Sequence, residues 1–457
     1  MNRVAVRREI SLLSRLAFPI FTAQLALTSL GVVDTIMSGW VGIEDLAAIG
    51  LGSSILLPVF IFATGILLAM TPITARYLGQ NQPDKIGYAL SQALWLAVPI
   101  GLISMLLLMV PQPLLHLLNL SPQVFALTED YLFWAALGLP GVALYQVYRF
   151  FWEGLGITLP TMGLSVAALL LNIPLNALFI YGYGPIEGMG AVGCGVATAI
   201  VMWSMLVGAW FYVRYAKSTQ PYRLSKLKAQ AGLMAPSWKQ GFKPILILGL
   251  PMAFALLFEV GMFSFIVLFI APLGTSVIGG HQIAMSFTSL LFMLPLSIAM
   301  AMTVRVGLGY GQNKREAVLT SIQVGAGMAV FFGILLSLST LGFRHHIVSL
   351  YTNHPEVVAI AITLFIFAAS YQVFDAVQVA MAGALRGLHD TQTTMWVTLF
   401  SYWGIGLGGG YLFAFFNPFG EPMGVYGFWL GIVCGLALAA VLLIARLRWM
   451  MQHVEFK

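Results

Sequence analysis

The sequence is poor in charged residues. Only 8% of its 457 residues are Asp, Glu, Lys or Arg, and 60% are hydrophobic. Soluble globular proteins carry about 25% charged residues. So few charges cannot cover the water-exposed surface of a chain of this length, which excludes a cytosolic enzyme, a disordered chain and a nucleic-acid-binding protein. The composition instead predicts an integral membrane protein that crosses the bilayer many times.

The sequence also lacks cysteine pairs and the common catalytic motifs. Its two cysteines cannot form a disulfide framework. It contains no G-x-x-x-x-G-K-[ST] phosphate-binding loop, no H-E-x-x-H zinc motif and no G-x-S-x-G nucleophile motif. We therefore expect no enzymatic activity, no cofactor and no nucleic-acid partner. Any transport must be driven by an ion gradient, by a partner chain or by the gradient of the substrate itself.

Long apolar runs recur along the whole chain. A membrane-spanning helix needs about 20 apolar residues, and the runs between polar or Gly/Pro positions predict twelve such helices. They lie near residues 13–38, 46–72, 87–110, 124–148, 160–181, 191–213, 245–270, 277–303, 318–341, 357–382, 393–416 and 424–446. Barrel strands are excluded, because the runs are too long and do not alternate. The sequence therefore predicts an all-α integral membrane protein.

The positions of Lys and Arg predict the orientation of these helices. With the N-terminus in the cytoplasm, 21 of the 22 basic residues fall in cytoplasmic segments, and only Arg344 falls outside. The positive-inside rule therefore predicts that both termini are cytoplasmic. This placement assigns Arg149, Arg305 and Arg386 to cytoplasmic loops, so no basic residue is expected in the middle of the membrane.

The chain contains an internal repeat. Short segments of the first half recur in the same order in the second half, at a nearly constant offset: 79–81 with 311–313, 154–155 with 387–388, and 190–193 with 424–427. Such a duplication predicts two pseudo-symmetric six-helix bundles around a central cleft, which is typical of transporters. The predicted domains are an N-lobe at 1–216, a basic cytoplasmic linker at 217–243 and a C-lobe at 244–457.

Thirteen of the sixteen acidic residues fall in loops or at span ends, and three do not, namely Asp34, Glu259 and Asp375. A charged carboxylate at the centre of a span costs about 2.5–3.5 kcal/mol on insertion scales. These side chains must therefore face a wet cavity, bind cations or carry protons. Because no basic residue is expected nearby, a cleft that contains them favours cationic or neutral substrates over anions.

Polar residues accompany these acids at helical spacing. Tyr371 precedes Asp375 by four residues, and Asn172 precedes Asn176 by four, so each pair lies on one helix face. Carboxylate, amide and hydroxyl oxygens are the ligands that hard cations prefer. For the asparagines, hydrogen bonding between helices is the alternative interpretation.

Several motifs resemble one known family. Residues 33–39 read Val-Asp-Thr-Ile-Met-Ser-Gly, which resembles the V-D-T-x-M-x-G signature in the first span of the multidrug and toxic compound extrusion (MATE) family. Further segments are similar to its NorM-type branch: 172–176, 190–195, 258–260, 304–307, 371–375 and 384–387. The resemblance covers nearly the whole chain.

The resemblance implies a function. It implies a monomeric antiporter of the bacterial inner membrane, coupled to Na+ or H+, that exports cationic amphiphilic drugs and dyes by alternating access and confers antibiotic resistance. It also implies a C-lobe cation site at Glu259, Asp375 and Tyr371. Within this site, Na+ would bind at Glu259 and Asp375. A second, N-lobe site for cation, proton or substrate is implied at Asp34, Asn172, Asn176 and Thr198.

Three other functions are compatible with a polytopic membrane protein. A lipid-linked oligosaccharide flippase, from a related branch of the same superfamily, would need basic residues in its cleft to bind pyrophosphate. An integral-membrane lipid enzyme would need a catalytic constellation at the membrane surface, and none is evident. A channel would fit the two-lobed repeat and the dispersed acids less well than a carrier does.

Overall fold

The computed structural model describes residues 3–118, 120–222, 235–418 and 420–453. Within these ranges the chain is almost entirely helical. The α-helices of the first half are α1 (Arg3–Gly39), α2 (Ile43–Leu67), α3 (Met70–Gly79), α4 (Pro83–Leu108), α5 (Gln112–Leu115), α6 (Pro122–Ala136), α7 (Leu139–Gly154), α8 (Leu159–Tyr181) and α9 (Ala191–Tyr215). Those of the second half are α10 (Lys243–Ile270), α11 (Thr275–Gly311), α12 (Arg315–Tyr351), α13 (Pro355–Gly387), α14 (Thr391–Thr398), α15 (Gly410–Phe415) and α16 (Val425–His453).

Short segments of other secondary structure connect these helices. The 3₁₀-helices are His116–Leu118, Lys217–Tyr222 and Ala271–Leu273, and the π-helices are Trp238–Phe242 and Leu399–Gly409. Two very short strands, β1 (Gly182–Tyr183) and β2 (Ile186–Glu187), pair antiparallel. Residues 223–234 of the predicted linker, and Lys457 at the predicted cytoplasmic C-terminus, lie outside the described residues.

Ten helices in the described part of the chain are long and apolar enough to cross a membrane. The other two predicted spans are helical but interrupted. Within 124–148 the helix is interrupted at Leu137–Gly138, between α6 and α7 and just before Pro140. In 393–416 the π-helix Leu399–Gly409 separates α14 from α15. The prediction of an all-helical membrane protein is therefore confirmed.

The helices form two compact units. The unit called here the N-unit contains residues 22–253, and the C-unit contains residues 1–21 and 254–457. Helices α1 and α10 each contribute to both units. The N-unit has a core that includes Met37, Ile49 and Tyr131. The C-unit has two cores built mainly on α11, α13 and α16.

The internal repeat is visible in the backbone. Helices α3 and α11 are followed by Asn81 and Asn313, each with φ of 55°. The residue after each asparagine donates its N–H to the carbonyl five residues earlier, at 3.0 Å for Gln82 and 3.1 Å for Lys314. This is the Schellman helix end, where asparagine is the side-chain-bearing residue that best tolerates positive φ.

Two further pairs of positions repeat the same backbone conformation. Gly156 and His389, which follow the repeated segments 154–155 and 387–388, have φ of 77° and 65°. Gly190 and Gly424, which begin the repeated segments 190–193 and 424–427, have φ of 55° and 57°, and each precedes a long helix. The duplication predicted from short sequence matches is therefore confirmed at the level of backbone geometry.

Helix α16 packs closely against its neighbours through glycine residues. A Cβ atom at Gly431 would lie 2.6 Å from the Cα of Gly410, and one at Gly435 would lie 2.7 Å from the carbonyl oxygen of Ser401. The backbones can approach this closely only because these residues have no side chain. These glycines therefore allow close packing of the helices.

Gly431→Ala should therefore destabilise the C-unit. The added methyl group forces the two backbones apart, and overpacking of this kind typically costs about 1–3 kcal/mol. Gly327→Ala on α12 is the matched control, because nothing lies within 4 Å of its Cβ position. The control should be neutral or stabilising by up to about 1 kcal/mol. Thermal unfolding of the purified variants in detergent checks both outcomes, and equal midpoints would contradict the expectation.

Candidate functional site

The predicted N-lobe residues meet around Asp34 in the N-unit. Asp34 lies on α1 and is 8% exposed. The side-chain amides of Asn172 and Asn176 on α8 donate to Oδ1 of Asp34 at 3.1 and 2.6 Å. Asn176 also donates to Oδ1 of Asn172 at 3.2 Å. The carboxylate is thus held by neutral donors, and no basic side chain within the described ranges takes part in this network.

Helix α9 completes the surroundings of Asp34. Thr198 and Cys194 lie beside the carboxylate, four residues apart on one helix face. Among the described residues, neither the buried Oγ1 of Thr198 nor the buried Oδ1 of Asn176 has a hydrogen-bond partner. Two free oxygens next to a carboxylate form a set that suits a hard monovalent cation or an ordered water molecule. Cys194 is also part of this cluster.

The predicted C-lobe residues lie in the C-unit. Asp375 and Tyr371 are on α13 and are buried, at 9% and 5% exposure, and Glu259 is on α10 and half-buried. Glu259 and Asp375 interact electrostatically. Gln378 donates its amide to Oδ1 of Asp375 at 3.2 Å. The Tyr371 ring packs against Trp429, with the ring centroids 6.0 Å apart.

Two residues of this cluster were missed in the sequence. Tyr402, on the π-helix Leu399–Gly409, is 1% exposed, and its hydroxyl has no hydrogen-bond partner in the part of the chain that the structure describes. It interacts electrostatically with both Glu259 and Asp375. Arg386 acts on Glu259 in the same way. It lies in the last turn of α13 and is half-buried, so its assignment to a loop was wrong.

The electrostatics of the C-unit cluster favour an added positive charge. Two carboxylates that interact in a medium of low dielectric constant repel each other when both are ionised. Arg386 offsets one of the two negative charges, and a proton or a bound cation relieves the repulsion that remains. The described residues contain no group of three or more His, Cys, Asp and Glu that could hold a transition metal. Carboxylate and phenol oxygens are instead suited to H+ or Na+.

A buried ion pair in the N-unit corrects a second expectation. Arg149 lies inside α7, not in a loop, and is 4% exposed. Its Nε donates to Oε1 of Glu153 at 2.9 Å, and its Nη2 donates to Oε1 of Gln24 at 2.9 Å. Thr161 donates to the same Glu153 oxygen at 3.0 Å. Because Glu153 neutralises it, this arginine adds no net positive charge to the unit.

A second ion pair lies within the C-unit and connects the first turns of α1 to α11. Arg305 donates two hydrogen bonds to the carboxylate of Glu9, at 2.9 and 2.7 Å, and Ser321 donates to Oε1 of Glu9 at 2.7 Å. Glu9 is buried, at 6% exposure. Arg305 therefore lies in α11, not in the expected loop. The forked geometry makes this a strong charge-assisted contact.

The fold and these buried acids together define a class of protein. A duplicated helical membrane protein with isolated carboxylates inside its spans is a secondary transporter. Solved structures have the same fold. The eukaryotic MATE transporter AtDTX14 superimposes with a TM-score of 0.87 over 99% of this chain and 97% of its own, at 21% identity. The Vibrio cholerae MATE transporter VcmN in its bent form gives 0.86 over 98% of each chain, at 18% identity.

Sequence comparison then identifies the family. The MatE family model matches residues 19–178 and 251–412, so it matches once in each half of the chain. The second match is displaced from the first by the offset of the internal repeat. Because the matches cover most of the chain, it belongs to the MATE family and is a multi-pass membrane transporter, not an enzyme.

Curated relatives agree with this assignment. The chain is 40% identical over 441 residues to the probable multidrug resistance protein NorM of Shewanella oneidensis, which covers 96% of this chain and 95% of the relative. It is also 40% identical over 439 residues, with the same coverage, to the multidrug resistance protein MdtK of Yersinia pseudotuberculosis. The resemblance to the NorM-type branch is thereby confirmed.

Proposed function

We propose that this chain exports cationic amphiphilic drugs and dyes in exchange for Na+ or H+, by alternating access. The observation that carries the proposal is the position of Asp34, a buried carboxylate held only by neutral donors and flanked by the unpartnered oxygens of Asn176 and Thr198. The names of the NorM and MdtK relatives support drugs as the substrates.

Each unit contributes one cation site in this proposal. In the N-unit, Asp34, Asn172, Asn176 and Thr198 bind the coupling ion, a proton or the substrate. In the C-unit, Glu259 and Asp375 bind the coupling ion, with Tyr371 as a neighbouring ligand. An ion can shift the balance between two conformations only by binding one of them more tightly. Loading these carboxylates from outside therefore favours the conformation that releases the drug.

The charge of the buried groups selects the substrate. Asp34 lies among amides and hydroxyls, and the buried Arg149 is neutralised by Glu153 at 2.9 Å. A net negative site attracts cations, whereas a flippase for a pyrophosphate-linked lipid needs a positive one. The flippase alternative is therefore the weaker proposal.

The topology of the proposed exporter follows from the positive-inside rule. We place the protein in the bacterial inner membrane as a monomer, with both termini in the cytoplasm. The domain limits stay those of the sequence, with an N-lobe at 1–216, a linker at 217–243 and a C-lobe at 244–457.

Transport by the purified protein in vesicles tests this function. Proteoliposomes loaded with a fluorescent cationic dye should lose it after a sudden rise in external Na+ or a sudden fall in external pH, applied one at a time. The response to one gradient identifies the coupling ion, and vesicles without protein give the background. Dye retention under both gradients would overturn the proposal, and lipid flipping would then be the next function to assay.

A further inference from the structure

The N-unit has a groove on its outer surface that the proposed transport cycle does not use. Helices α4, α7 and α9 enclose it, and its volume is about 600 Å³. Its aromatic lining residues are Trp95, Tyr148, Trp203, Trp210 and Phe211. The groove is open, since Trp95 and Phe211 are each 49% exposed. In a membrane protein, such a surface is in contact with lipid chains.

One wall of the groove is fixed in place. The indole N–H of Trp203 donates to the carbonyl oxygen of Leu137 at 2.9 Å, at the break between α6 and α7. This carbonyl oxygen can accept from a side chain because the helix is interrupted at Leu137–Gly138. A hydrogen-bonded ring costs little further ordering when a ligand packs against it. This wall of the groove is therefore preformed.

A positive charge stands at one end of the groove. Arg214, in the last turn of α9, lies over the ring of Trp210, 5.3 Å from its centroid, and 5.9 Å from that of Tyr215. Arg214 is exposed, as is Lys217 just beyond the helix. No carboxylate pairs with Arg214 anywhere in the described ranges. The end of the groove where α9 reaches the membrane surface thus attracts an anion.

A similar arrangement elsewhere lacks this free charge. Arg446 on α16 lies 4.5 Å from the ring centroid of Trp449, but its Nε also donates to Oδ2 of Asp390 at 2.6 Å. Its charge is neutralised within the protein. The combination of an aromatic groove and a cation without a carboxylate partner therefore distinguishes the α9 site.

We propose that this groove binds one anionic phospholipid, with an acyl chain between α4, α7 and α9 and the phosphate at Arg214. Basic pockets at the membrane surface recognise anionic head groups, and juxtamembrane cations add to this attraction. The apolar and aromatic walls suit a hydrocarbon chain better than a water-soluble anion. The charge at its end favours an anionic lipid over a cationic drug.

Native mass spectrometry tests this site. The purified protein is equilibrated with equal amounts of phosphatidylglycerol and phosphatidylcholine, and the ratio of the two retained lipids is measured. Arg214→Gln should lower the preference for phosphatidylglycerol about fivefold, the factor that one surface cation contributes toward anionic lipid. Val207→Trp, which fills the groove without changing charge, should abolish retention of the single lipid.

Two control variants separate the groove from general surface effects. Arg448→Gln removes the same charge from an exposed position on α16, and Val441→Trp adds the same bulk at a position that is 61% exposed. Both should leave the lipid ratio unchanged. If Arg448→Gln lowers the preference for phosphatidylglycerol as much as Arg214→Gln does, the proposal is overturned. Full retention of the lipid in Val207→Trp would also overturn it.

A cationic dye is then added to the wild type and to Arg214→Gln. If the dye displaces the lipid equally well from both, the groove is a drug site instead. Gel filtration confirms that each variant is folded.

Discussion

Glu259→Gln and Asp375→Asn, made singly, should each reduce ion-driven drug export by about 5–150-fold, the range of typical coupling free energies of about 1–3 kcal/mol. The two carboxylates interact inside the C-unit, and each substitution removes one negative charge while keeping the shape of the side chain. A neutral amide cannot release a proton, and it holds a cation more weakly than a carboxylate does. The ion then no longer favours one conformation over the other.

The amount of folded protein should not fall in these variants. Removing one of two carboxylates in a site of low dielectric constant relieves their repulsion, so Asp375→Asn should be at least as stable as the wild type. Glu259→Gln relieves the same repulsion but also loses the attraction between Glu259 and Arg386, so its stability should change little. Dye efflux from proteoliposomes and the yield of monodisperse protein measure the two effects separately. Glu356→Gln is the matched control, because Glu356 lies on the same helix as Asp375 but is exposed.

Two outcomes would contradict the C-unit assignment. Wild-type export in both variants would show that neither carboxylate is needed for coupling. Equal losses in Glu356→Gln would show that the assay responds to any loss of charge on α13. If Asp34→Asn loses export while Glu259→Gln and Asp375→Asn keep it, the coupling site lies instead in the N-unit, around Asp34.

The sequence predicted those parts of the fold that depend on local pattern. The length of each apolar run predicts a spanning helix, and the recurrence of 79–81 at 311–313 predicts the duplication, which Asn81 and Asn313 then show with the same φ of 55°. The four-residue spacing of Asn172 and Asn176 predicts one shared helix face, which the structure places against Asp34.

The parts that the sequence did not predict depend on contacts between distant segments. Arg149 was assigned to a loop because basic residues usually mark the ends of spans, but Glu153 neutralises its charge and Gln24, far earlier in the chain, accepts a hydrogen bond from it. The four-residue spacing of Arg149 and Glu153 was the available signal. Tyr402 gave no signal, because its segment is apolar and its orientation depends on a π-helix.

The buried pair of Arg149 and Glu153 should dominate the stability of the N-unit. Glu153→Ala leaves the guanidinium buried without its carboxylate, and loss of one partner of a buried ion pair typically costs about 3–5 kcal/mol. It also removes the acceptor of the Thr161 hydroxyl, which itself accepts from the indole N–H of Trp152 at 2.7 Å. We expect a large fall in the thermal midpoint and in the yield of monodisperse protein.

A double substitution distinguishes a buried unpaired charge from loss of packing. Arg149→Met combined with Glu153→Leu removes both charges and keeps most of the side-chain volume, and such replacements are often neutral or stabilising. The double variant should therefore be more stable than Glu153→Ala, although it has one more substitution.

Glu356→Ala is the control, because it removes an exposed carboxylate that accepts from Ser276 at 2.9 Å, and it should change the thermal midpoint little. If Glu153→Ala is no less stable than Glu356→Ala, the pair does not stabilise the unit. If the double variant is the least stable of all, the cost comes from packing and hydrogen bonds, because a charge that is absent cannot destabilise the fold.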